Sequence, residues 1–205
     1  MEELDFTKTM ERKEKVDFNT TIQQDDRILL DLPRINNSSV IDWGKLVSIS
    51  NQFIGKEIFN KVLPDGFKAY TTDDEDCPEI DTKNNSPGFD IVIQSPNGNL
   101  KRVQAKLRQV KGVTPFSTQV GIETTRRNSK KNENKNHTGH VCYSCDEFDY
   151  VLVSLVHIKD GLHGRNDLNK WKFSLIPVEE LVDTVKECCV SSIKPGLLSK
   201  YEVFN

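Results

Sequence analysis

The side chains with the most chemistry to offer sit on two neighbouring apolar stretches. Asp90 precedes Ile91-Val92-Ile93, and Gln104 and Lys106 alternate with Val103 and Ala105. A carboxylate, an amide oxygen and an ammonium brought together could hold a hard divalent cation and set a lysine beside its bound water. Whether they meet depends on the connection between the stretches. Pro96-Asn97-Gly98 has the composition of a three-residue hairpin loop: proline suits the first turn position, asparagine tolerates the second, and glycine takes the left-handed bulge position. That loop pairs Ser95 with Asn99, and counting outwards places Asp90 opposite Gln104. Facing residues of an antiparallel pair share a face, and Lys106 follows two residues along on the same one. A two-residue turn on Asn97-Gly98 would instead put Asp90 opposite Ala105, on the wrong face.

A fourth candidate comes from the segment upstream. Residues 43–63 carry Trp43, Leu46, Val47, Phe53, Ile54, Ile58 and Val62 at helical spacing, and Pro64-Asp65-Gly66 ends the pattern. On a helical wheel Glu57 falls inside the arc of Trp43, Leu46, Phe53 and Ile54, which turns its carboxylate toward the core. A charge there must be paired or bound to metal. A Mg²⁺ ion held by Asp90, the Gln104 carbonyl oxygen and Glu57 accounts for it, with Mn²⁺ as a substitute.

The elements that must position these residues can be read along the chain. Its 205 residues suffice for one good-sized core, or one domain plus a tail. Residues 1–40 have few apolar positions and no period, and are expected to be an N-terminal arm with a short helix around 25–32. Residues 41–205 are expected to be the working domain, interrupted by a basic insertion around 109–147. Strands are expected at 67–72, 89–95, 100–108, 149–158 and 171–177, then a helix over 179–188 carrying Cys188 and Cys189, and an irregular end. This order reads as an α/β domain, with a central mixed β-sheet flanked by helices.

The net charge of −3 conceals an asymmetry. Residues 101–135 hold ten Lys or Arg against two Glu, whereas 73–90 hold seven acids and one Lys. Positive charge gathered in one region leaves a nucleic-acid partner open despite the acidic pI. By default Arg126, Arg127, Lys130, Lys131 and Lys135 form a solvated loop; the nuclease resemblance given below makes them the expected contacts with double-stranded DNA, with Arg102, Arg108 and Lys111 extending them from the hairpin. The acidic loop 73–81 reads as solvated, with Glu79 its one candidate metal ligand. His137, His140, Cys142 and Cys145 are zinc-type ligands, but a single residue between the two pairs is too tight for one ion without strain. Five cysteines without framework spacing point to a reducing compartment. No stretch approaches the ~18 apolar residues of a membrane span. The expectation is an intracellular, cytoplasmic, DNA-associated protein with no membrane partner.

The segments GKEIFNKVLPDGFKAY, SPGFDIVIQ and KRVQAK together resemble the PD-(D/E)xK nuclease superfamily, which includes many restriction endonucleases and Holliday-junction resolvases. The resemblance covers roughly residues 43–158. It implies a restriction-endonuclease-like core in which Glu57, Asp90, Gln104 and Lys106 are the catalytic residues. Pro87 stands three positions before Asp90 rather than beside it. Gln104 replaces the usual acid, as in a minority branch with a Q-x-K motif that includes an intron-encoded homing endonuclease. The implied activity is Mg²⁺-dependent hydrolysis of DNA phosphodiester bonds, foremost by a type II restriction endonuclease cutting a short duplex site as a homodimer. A homing endonuclease, a structure-specific repair endonuclease, and a non-catalytic DNA-binding protein on a decayed nuclease fold are the alternatives.

Overall fold

The computed structural model describes residues 43–78, 88–110, 119–121, 125–127, 140–142, 147–157, 171–183, 188–189 and 192–203. The expected arm therefore lies outside the described residues. Helix α1 (Trp43–Val62) buries Ile54, Ile58 and Phe59 on one stripe, with Leu63 just beyond its end. It stops where Pro64 cannot continue a helix, and Leu63 N–H still reaches the Phe59 carbonyl at 2.9 Å.

The strands are β1 (Lys68–Thr71), β2 (Ile91–Gln94), β3 (Leu100–Val110), β4 (Val120–Gly121), β5 (Thr125–Arg127), β6 (His140–Cys142), β7 (Tyr150–His157), β8 (Lys172–Pro177), β9 (Val182–Asp183), β10 (Cys188–Cys189), β11 (Ser192–Ile193) and β12 (Glu202–Val203). Six of them form the central sheet in the order β1-β2-β3-β7-β8-β12. Each neighbouring pair is antiparallel except β3 and β7, which run parallel, so the sheet is mixed as expected. Among the described residues no helix is long and apolar enough to cross a membrane.

Strand alternation divides the core in two. Ile91, Ile93, Val103, Ala105, Leu152 and Val156 pack with Ile54, Ile58 and Phe59 of α1. Their neighbours Val151, Val153 and Leu155 face the other way, onto Ile176, Leu181, Ile193 and Leu198. Leu198 belongs to the short helix α2 (Pro195–Lys200), which flanks the sheet on this second side. Gly55 lets α1 lie close to the sheet. A Cβ there would stand 2.7 Å from Ile91 Cδ1 and 2.9 Å from Leu152 Cδ2.

The outer edge of β1 is closed by side chains. Asn60 of α1 donates from Nδ2 to the Ala69 carbonyl at 3.1 Å and accepts from Ala69 N–H through Oδ1 at 2.7 Å. At the next outward position, Thr71 N–H donates to Asp74 Oδ2 at 2.6 Å, and the Thr71 carbonyl accepts from Asp74 N–H at 3.1 Å. Edge strands expose unpaired backbone groups, and this one spends them within its own chain.

Two expectations fail at the C-terminal end. The described residues of 179–188 do not form the expected α-helix: a 3-10 turn over Val178–Leu181 buries Val178 and Leu181, then Val182 turns extended into β9, which pairs with β10. Cys188 and Cys189 thus lie on a strand rather than on a terminal helix. A single turn already buries both apolar residues, and β-branched Val182 takes the extended state readily. The end is also ordered. Pro195 suits the first turn of α2, and β12 returns to pair with β8. The insertion begins later than expected, because β3 runs to Val110.

Gly55→Leu should force α1 away from Ile91 and Leu152 at a cost of ~1–3 kcal/mol, the usual range for overpacking a core. A urea midpoint equal to that of the unaltered protein would show that this close approach is not a constraint.

Candidate active site

The hairpin has the three-residue loop. Ser95 N–H donates to the Asn99 carbonyl at 2.9 Å, Gly98 N–H donates to the Ser95 carbonyl at 2.9 Å, and Gly98 has φ +83°. The pairing runs from Gln94 opposite Leu100 to Ile91 opposite Val103, and one step further brings Asp90 to Gln104. Asp90 N–H continues the ladder to the Val103 carbonyl at 3.0 Å.

The side chains follow. Asp90 Oδ2 accepts from the Ala105 backbone N–H at 2.8 Å and from Gln104 Nε2. Gln104 is buried, and in the β3–β7 register it and Lys106 stand beside Val151 and Val153. These polar groups therefore share the sheet face opposite α1. Burial pushes the Asp90 carboxyl above its ordinary pKa; the Ala105 N–H, the Lys106 charge and the Gln104 amide work against that rise, and the charge of Asp73 adds to it. Gly88 shapes the entry to Asp90: a Cβ there would lie 2.7 Å from Glu147 Cβ, so a larger residue would push the segment off its path.

The structure does not join Glu57 to this group. Its side chain is 40% exposed, and its ionic neighbour is Lys56, at 3.9 Å. Within the described half of α1 the buried arc is Asn51, Ile54, Gly55, Ile58 and Phe59, and Glu57 lies outside it. Of the arc expected to turn it inward, Ile54 is buried and Phe53 only partly so, while the side chains of Trp43 and Leu46 lie outside the described residues. The Gln104 amide also meets Asp90 through its nitrogen, rather than through the oxygen expected to serve as a ligand.

Two expected DNA contacts are engaged within the protein. Arg102 Nε lies 3.6 Å from Asp149 Oδ2, and Arg102 N–H donates to the same carboxylate oxygen at 2.8 Å. Arg108 donates from Nε to the Gly121 carbonyl and from an Nη to the Leu107 carbonyl, both at 2.8 Å, which pins β4 to β3. Arg126 and Arg127 fall on β5, which pairs with β6, so their backbone is placed but their side chains lie outside the described residues, as do those of His140 and Cys142. Lys111, Lys130, Lys131, Lys135, Glu79, His137 and Cys145 lie outside altogether. Sequence reasoning missed Asp149, because the register of a parallel pair has no local signal.

Among the described residues no three His, Cys, Asp or Glu side chains converge to hold a metal ion. That excludes a closed cage of such ligands there, but Mg²⁺ commonly takes one or two carboxylates and fills its shell with waters. Asp90 fits such an ion: its carboxyl is raised by burial, and positive charge beside it would favour the ionised form.

No family model and no curated protein matches the chain. Among solved structures, that of the bacterial homing endonuclease I-Ssp6803I is similar to 76% of this chain and 77% of that chain, with TM-score 0.42 and 15% sequence identity. At that level no residue's role transfers.

A carboxyl with a raised folded-state pKa holds its proton more tightly in the fold than in the unfolded chain, so its ionisation at neutral pH opposes folding. Asp90→Asn should therefore raise the thermal midpoint in chelator at pH 7. The gap should narrow as pH falls through the raised Asp90 pKa, because the wild-type group then becomes neutral too. A variant less stable than wild type at pH 7, or a gap that widens in acid, would contradict this.

Proposed function

We propose that this chain is a Mg²⁺-dependent DNA endonuclease that hydrolyses phosphodiester bonds at the Asp90, Gln104 and Lys106 cluster. The observation that carries the reading is the hairpin register, which supports the grouping of these three side chains that the Q-x-K motif implies. When bound, Mg²⁺ supplies charge for the scissile phosphate and lowers the pKa of a water. Asp90 and an oxygen of Gln104 would hold it. Lys106, on the same face as Asp90, orients the attacking water and stabilises the charge that develops as the phosphate is attacked. The products carry a 5′-phosphate and a 3′-hydroxyl, following the family resemblance.

The role favoured is a type II restriction endonuclease acting as a homodimer on a short duplex site, since twofold protein symmetry matches twofold DNA symmetry. A homing or structure-specific repair endonuclease uses the same chemistry on other DNA. The basic insertion is the source of DNA affinity, with Arg126, Arg127, Lys130 and Lys131 as its contacts. Arg102 and Arg108 act mainly in the fold and contribute positive field. One observation favours a second reading, a DNA-binding protein on a decayed nuclease fold. The neutral Gln104 amide gives its hydrogen-bond donor to Asp90 where an acid would give charge to a cation.

Plasmid DNA incubated with the purified protein should be cut in Mg²⁺ or Mn²⁺ and left intact in EDTA. Lys106→Ala should lower the rate by about 10²-fold or more, as expected for loss of a group that stabilises charge developing in the transition state. DNA binding without cutting in any divalent cation would select the second reading. Full activity in Lys106→Ala would remove that residue from the chemistry.

A further inference from the structure

The insertion between β3 and β7 carries a two-stranded ribbon that is not part of the central sheet. Strands β5 and β6 pair antiparallel, with Thr125 opposite Cys142, Arg126 opposite Val141 and Arg127 opposite His140. From 125 to 142 the chain holds five Lys or Arg (Arg126, Arg127, Lys130, Lys131, Lys135) against one acid, Glu133. A ribbon of two strands is marginal in water by itself, so this one gains most from a surface to lie on. Its charge matches a polyanion, and the major groove of B-DNA, ~12 Å wide, admits a two-stranded ribbon.

Both ends of the ribbon are rooted beside the candidate site. Arg108, two positions beyond Lys106 on β3, donates from Nε to the Gly121 carbonyl at 2.8 Å, and β5 begins four residues after Gly121. On the other side β6 ends five residues before Glu147. Glu147 abuts Gly88, two positions before Asp90, so closely that a Cβ on that glycine would lie 2.7 Å from Glu147 Cβ. Arg127 follows Gly121 by six residues, at most about 22 Å of extended chain. The roots therefore hold it within about one turn of duplex, ~34 Å, of the Asp90 and Lys106 cluster.

The register sorts the ribbon into two faces, because residues directly opposite share a face and neighbours alternate. Thr125, Arg127, His140 and Cys142 fall on one, all of them types that can hydrogen-bond, whereas Arg126 shares the other with Val141. Resting on the proposed DNA-cleaving reading, we infer that the β5–β6 ribbon lies in the major groove and that Arg127 reads a guanine edge within about one turn of the cut phosphate. Arginine does this with two parallel hydrogen bonds, to O6 and N7. The lysines that follow contact phosphates, which fix position without carrying sequence.

Selection of duplexes from a randomised DNA pool by the full chain in Ca²⁺, followed by sequencing, reads preference apart from cutting. The cut is then located by sequencing the ends made from the selected duplexes in Mg²⁺. Wild type should select a motif with guanine within about ten base pairs of the cut. Arg127→Ala and Arg127→Gln should each lose that guanine preference, by about tenfold or more at one position of each half-site, and keep the rest of the motif. Lys130→Gln should weaken binding of all sequences alike and lower the salt slope by about one. Circular dichroism should show every variant folded, since the ribbon stands apart from the central sheet. An unchanged motif in both Arg127 variants, or a position lost in Arg126→Ala instead, would overturn the assignment and leave DNA recognition standing. Binding of the pool with no sequence selected would overturn the ribbon as a reader. No binding and no cutting by wild type would overturn the DNA-cleaving reading as well.

Discussion

Everything at the candidate site depends on the register between β2 and β3. Side chains alternate across a sheet with period two, so a slip of one residue would carry Asp90 to the α1 face and exchange Gln104 for Ala105. The three-residue loop holds the register from one end, with Gly98 in the left-handed conformation that side chains avoid. The Asp90 carboxylate holds it from the other, by accepting the Ala105 N–H. The same group is thus a register lock and the candidate reactive carboxylate. Its burial is unfavourable to its charge, and the fold retains it regardless.

Where one turn and one strand pair decide the outcome, the fold was readable from local sequence. Pro96-Asn97-Gly98 determines a loop length, and alternation does the rest; the apolar runs of β7 and β8 were equally legible. The failures arise where distant packing decides. Glu57 was placed by a wheel that leaned on Trp43 and Leu46, whereas the described part of the helix meets the sheet at Ile91 and Leu152 through Ile54, Gly55, Ile58 and Phe59. Residues 178–183 have helical spacing for one turn only, and a strand partner from 188–189 claims the rest. Arg102 looked like a free cation because its partner, Asp149, is 47 positions away.

The parallel junction of β3 and β7 explains why the basic residues nearest the hairpin are occupied. A parallel neighbour must be delivered by a long crossover, and here residues 111–149 provide it. Asp149 closes that crossover: its N–H donates to the Arg102 carbonyl at 2.9 Å while its carboxylate accepts the Arg102 N–H. Arg102 and Lys101 then lie beside a carboxylate that already has a structural task. Arg108 does the equivalent at the other end of β3 by binding the Gly121 carbonyl. On the proposed DNA-cleaving reading, phosphate contact would therefore fall to the insertion's own lysines and arginines.

The closed edge of β1 bears on how two copies could act together. Strand-to-strand association needs outward N–H and C=O groups that are unpaired. At Ala69 and Thr71 these are taken by Asn60 and Asp74, so a pairing strand would have to displace both side chains and break the contact of Asp74 with Thr71. The proposed homodimer cannot therefore extend its sheet through β1. Asp74 makes the constraint sharper, because the same side chain seals Thr71 and holds the turn whose Thr72 N–H meets the Asp90 carbonyl. Opening that edge would disturb the candidate site, so a symmetric pair must meet on other surfaces and leave β1 and its turn intact.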